Sequence, residues 1–76
     1  MKLSAADYPE RLDLGVTYQV VKPEYRIFPL DVPIALVNSD WVAHADVIIR
    51  QLTWVDRQTQ LIFEISRIYP APFPLK

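Results

Sequence analysis

The sequence predicts an all-β fold: a small, curved antiparallel meander or partly closed barrel of about five strands that ends in a long C-terminal hairpin. Three observations point there. The last third, ADVIIRQLTWVDRQTQLIFEISRIY, is two long apolar runs around DRQT with no helical spacing. The stretch VTYQVV, between Gly15 and Pro23, is dominated by β-branched and aromatic residues. Finally, strands as long as those of the last third cannot stay flat in a chain of 76 residues, because twist and bulges bend them.

Taken in order, residues 1–15 form an N-terminal arm in which Ser4 caps one short helical turn with Asp7 three residues on, limited by Pro9. A single β domain then spans 16–69, with strands expected at 16–22, 25–29, 33–37, 42–55 and 58–69 and KPEY as a hairpin turn. With one glycine and seven prolines in the chain, most turns must be made by Pro, Asp and Asn, not by the glycines that usually supply positive φ. Residues 70–76 form a proline-rich tail, in which Pro70, Pro72 and Pro74 favour an extended polyproline conformation.

The register of the long hairpin follows from its apolar pattern. With Asp56 and Thr59 flanking the loop, Trp54 faces Leu61 and Leu52 faces Phe63, so four large apolar groups share one face. Further out, Arg50 would fall on that apolar face. A bulge at Arg50 and Gln51 removes the conflict and pairs Ile49 with Ile65 and Val47 with Arg67. In YRIFPLDVPIALV the two prolines each remove a ladder donor, so the stretch reads as an edge strand ending at Phe28, a corner, and a new strand from Ile34. Asp31 sits at the corner, where it can accept from free backbone amides.

Composition narrows the function. At 51% hydrophobic and 22% charged residues, one small core can form. No cysteine is present, so neither a disulfide framework nor a thiolate metal site can staple it. The net charge is -1 and the eight cations are scattered, which leaves no basic face for nucleic acid even though aromatic residues are plentiful. No window has the length and apolarity of a membrane-spanning helix, and the N-terminus lacks the apolar run of a signal peptide, so no membrane partner and a cytoplasmic location are expected.

The segment EYRIFPLDVPIALV, followed by WVAHADVIIRQLTW and LIFEISRIY, resembles a domain-of-unknown-function family of short cyanobacterial and firmicute proteins. The resemblance covers about Tyr18 to Tyr69 and implies no particular activity. Relatives in that family carry a further strand-like stretch before the position of Lys2 and Leu3, which implies an uncovered sheet edge here.

No residues combine into a catalytic, cofactor or metal site. His44 and Asp46 share a face of an extended strand, but one imidazole and one carboxylate fall short of the three protein ligands of a catalytic zinc. His44 reads more readily as a hydrogen-bonded structural histidine. The serines lack a nucleophile context, and nothing forces Asp31, Asp46 and Glu64 together. No Gly-rich loop is present to cradle a phosphate. The reading is therefore a non-enzymatic protein-interaction or adaptor module, engaging a protein partner or a second copy through a strand edge, with Trp41, Pro70, Pro72, Phe73 and Pro74 as interaction residues. The alternative is a small-molecule or metal-binding module with a pocket near Arg26, Asp31, His44 and Asp46, polar groups set in or beside apolar strands.

Overall fold

A computed structural model describes residues 1–75, and Lys76, the last residue of the expected tail, lies outside the described residues. The architecture is all-β. Four strands, β1 (Thr17–Pro23), β2 (Pro33–Val37), β3 (Val42–Val55) and β4 (Gln58–Pro74), form one curved, open antiparallel sheet in the order β1-β4-β3-β2. Among the described residues no helix occurs. At the N-terminus the amides of Asp7 and Tyr8 both donate to the Ser4 carbonyl, which makes a single turn there.

The strand expected over 25–29 does not form, nor does the KPEY hairpin. Pro23 ends β1, and Glu24 turns the chain with φ 69°. Residues 24–32 then cross from one edge of the sheet to the other as a strap around the tip of the β3–β4 hairpin. Because β1 and β2 lie on opposite edges, the sheet stays open and no barrel closes. Thr59, fully buried, pins the strap: its hydroxyl donates to the Glu24 carbonyl and accepts from the Arg26 amide, both at 2.8 Å. The Trp54 indole N–H donates to the Arg26 carbonyl at 2.8 Å, and the Asp31 amide donates to Ile49 O at 3.1 Å.

One face of the sheet carries the core, formed by Val20, Leu36, Ala45, Val47, Ile49, Leu61, Phe63 and Ile65 together with Leu3 from the N-terminal arm. Each fully buried aliphatic or aromatic side chain contributes roughly 1.5–3 kcal/mol. Met1, Tyr8 and Leu12 of the arm and Phe28 of the strap pack over this face in place of a second layer.

The hairpin register differs by two residues from the expected one. Trp54 pairs with Thr59, Leu52 with Leu61 and Ile49 with Phe63, while Val47 pairs with Ile65. The cause is the turn: Val55 and Gln58 close a two-residue loop in which Asp56 and Arg57 both have positive φ, 50° and 60°. A slip of two preserves the faces, so the apolar set stays inside. The bulge falls between Ile49 and Gln51, as the sequence requires, and turns Arg50 outward to Asp31 (3.0 Å) and Glu64 (3.4 Å).

Candidate functional site

The β2–β3 loop and the end of β4 meet at one end of the molecule. Asn38 organises the loop: its side-chain oxygen accepts from the amides of Asp40 (2.9 Å) and Val42 (3.0 Å). Trp41, at φ 62°, donates its amide to the Asn38 carbonyl and accepts from the Leu75 amide at 2.9 Å. The residue is 41% exposed, and its ring carries the Lys2 ammonium 4.2 Å from the centroid. Residues 70–74, expected as a proline-rich tail of extended polyproline conformation, thus continue β4, with Pro74 opposite Val42 and Phe73 opposite Ala43.

Between Phe73 and Ile68, which face Ala43 and Ala45, β4 swings away from β3. The excursion leaves an open groove of ≈ 500 Å³ lined by Ala35, Ala43, Asp46 and the β4 residues Arg67, Tyr69, Pro70, Ala71 and Phe73, with Leu75 at its end. It lies on the face opposite the core, since Ala35 and Asp46 alternate with Leu36 and Ala45. The Tyr69 hydroxyl donates to Asp46 Oδ1, and that bond, ahead of burial, holds the phenol above its ordinary pKa. The Arg67 guanidinium sits 5.8 Å from the Tyr69 ring. Phe73 and Leu75 are 60% and 48% exposed. Apolar walls with one carboxylate hydrogen-bonded to a phenol and one cation among the lining residues can bind an apolar segment.

Of the sequence-derived interaction residues, Pro70 and Phe73 line the groove, Pro72 and Pro74 belong to the same β4 segment, and Trp41 is joined through its carbonyl to Leu75 at the groove's end. The residues of the alternative pocket do not. Arg26 Nε donates to Pro23 O beside the hairpin tip, and Asp31 pairs with Arg50. His44 meets Tyr8 edge-on at 6.4 Å and Asn38 at 3.4 Å. Only Asp46 reaches the groove. A bulge separates His44 from Asp46: Leu36 pairs with Ala45 and Val37 with Ala43, so His44 is left without a partner on β2 and turns toward Tyr8 on the core side. Among the described residues no group of three His, Asp or Glu side chains could hold a metal ion, and no helix is long and apolar enough to cross a membrane. Sequence reasoning missed Thr59, Tyr69 and Arg67, whose roles depend on the strap and on the β4 excursion, neither of which leaves a local signature. Neither a family model, nor a curated protein, nor a solved structure matches the chain.

Proposed function

We propose that the protein is a non-enzymatic interaction module whose groove at the β4 end docks an extended apolar segment of a partner protein. The observation that supports this best is the groove itself, with Phe73 and Leu75 exposed in its lining and half-exposed Trp41 bonded through its backbone to Leu75. Aromatic side chains and arginine are the residue types that dominate protein interfaces, and a contiguous exposed apolar patch on a small domain marks a contact surface. The partner is extended because the groove runs along a strand, and uncharged at its centre because Asp46 is already bonded to Tyr69.

Random-peptide display on the purified protein tests the reading. Apolar peptides are expected to be enriched, and Ala71→Arg, which places a bulky cation in the groove at an exposed position, is expected to abolish their binding while the fold is retained by circular dichroism. Peptides that bind the Ala71→Arg protein equally well, or no enrichment at all, would count against it.

A further inference from the structure

The edges of the sheet are treated unequally. On β2 the outer edge is occupied by the arm: Leu3 N donates to Val37 O, Val37 N to Met1 O, and the Met1 amine to Ala35 O. Where β3 runs past β2 the strap takes over, with the Asp31 amide on Ile49 O. Where β4 runs past β1 the device is different. Leu75 turns its amide toward Trp41 on the β3 side, so by the two-residue period positions 74, 72 and 70 turn theirs outward. All three are prolines, so this edge has no donor to offer another strand there.

Among the described residues, no backbone segment is hydrogen-bonded along the outer edge of β1. Ile65 exchanges hydrogen bonds with Gly15 and Val16, which by the same alternation turns the amides of Tyr18, Val20 and Lys22 toward β4 and those of Thr17, Gln19 and Val21 outward. No proline, charge or bulge interrupts 17–21, and Leu14, Val16 and Val21 nearby are 65%, 41% and 42% exposed.

We infer that the β1 edge pairs with the β1 edge of a second copy, antiparallel about a two-fold axis at Gln19, to give one continuous sheet across the dimer. This edge matches itself. With Gln19 on the axis, Thr17 of one copy faces Val21 of the other, and the three outward positions form narrow pairs with about six hydrogen bonds in all. The facing side chains are uncharged, so no like charges oppose one another. Pro23 and the Gly15 turn (φ 80°) frame the slot and set this register over neighbouring ones. The surface is separate from the groove, so either can exist without the other.

Light scattering on the purified full chain decides the matter. The wild-type protein is expected to show, at sub-millimolar concentration, a mass twice 8.8 kDa that falls on dilution. Gln19→Pro removes only an outward amide, which an edge strand tolerates, and is expected to leave a folded monomer. Gln19→Lys places two cations across the axis and is expected to be monomeric at low salt and to regain mass as salt is raised, because screening weakens the repulsion. A wild-type protein that stays monomeric, or a Gln19→Lys protein with undiminished dimer mass at low salt, would overturn the inference and leave the groove reading to stand or fall on peptide binding.

Discussion

Replacing Thr59 by valine tests how the strap is held. Valine keeps the shape and the buried methyl but removes a hydroxyl that donates to Glu24 O and accepts from Arg26 N, both at 2.8 Å, in a side chain with no exposure. Each lost hydrogen bond costs about 1 kcal/mol net, and a backbone group left buried and unpaired adds to that. Glu24 and Arg26 are exposed residues, so water restores part of the loss, and the expected cost is about 2–3 kcal/mol. For a domain of this size that lowers the melting midpoint by roughly 10–20 °C. Thr59→Ser keeps both bonds and loses only a methyl, about 1 kcal/mol. Urea unfolding of the three proteins, followed by tryptophan fluorescence in a Trp41→Phe background so that Trp54 alone reports, gives the numbers. Trp54 also reports on the strap, because its indole donates to Arg26 O. If valine cost less than serine, the hydroxyl would not be the pin, and the account of the crossing would be wrong.

Two further substitutions should raise stability. Arg57 occupies the left-handed region at φ 60° in a two-residue turn, where its backbone amide donates to the Tyr25 hydroxyl and its carbonyl accepts from Glu24. Arg57→Gly keeps both bonds and relieves about 1–2 kcal/mol of backbone strain against about 0.5–1 kcal/mol of added chain entropy, so thermal unfolding should shift upward by a few degrees. A lowered midpoint would show that the arginine side chain holds something. The Tyr8 hydroxyl is buried with no hydrogen-bond partner, and its burial raises the phenol pKa. Tyr8→Phe should therefore gain about 1 kcal/mol at neutral pH. A raised folded pKa means that the stability tied to the neutral phenol is complete below the unfolded value of 10.0 and is lost as pH climbs through the folded value. Wild-type stability should thus fall above pH 10 more steeply than that of Tyr8→Phe, and parallel alkaline curves would contradict this.

Much of the sheet was legible because strand period and burial follow from side-chain chemistry. The apolar alternation of β3 and β4 showed the long hairpin, and the clash of Arg50 with the core face located the bulge where it occurs. Register was readable only to within two residues, because it depends on whether Asp56 and Arg57 adopt positive φ, and arginine gives no hint that it does. The same holds at Glu24 and Trp41, which turn the chain in the left-handed region without glycine. The strap was misread as a strand because YRIF has strand composition, and only tertiary contacts with Thr59 and Trp54 direct it around the hairpin tip. Trp41 and the proline segment were singled out as interaction residues for their chemistry, and the fold places them at one end. The set Arg26, Asp31, His44 and Asp46 was chosen from polarity in apolar surroundings, and each found its own partner, with a bulge at His44 breaking the shared face that simple alternation implied.

The central claim is the proposal that the groove at the β4 end docks a partner protein. A photo-reactive amino acid at position 73, in the groove, compared with one at position 53 on the far part of β3, tests it in living cells. The account predicts a discrete adduct with another protein from position 73 that disappears with Ala71→Arg, and none from position 53. Adducts of equal yield from both positions, or an adduct at 73 indifferent to Ala71→Arg, would contradict it.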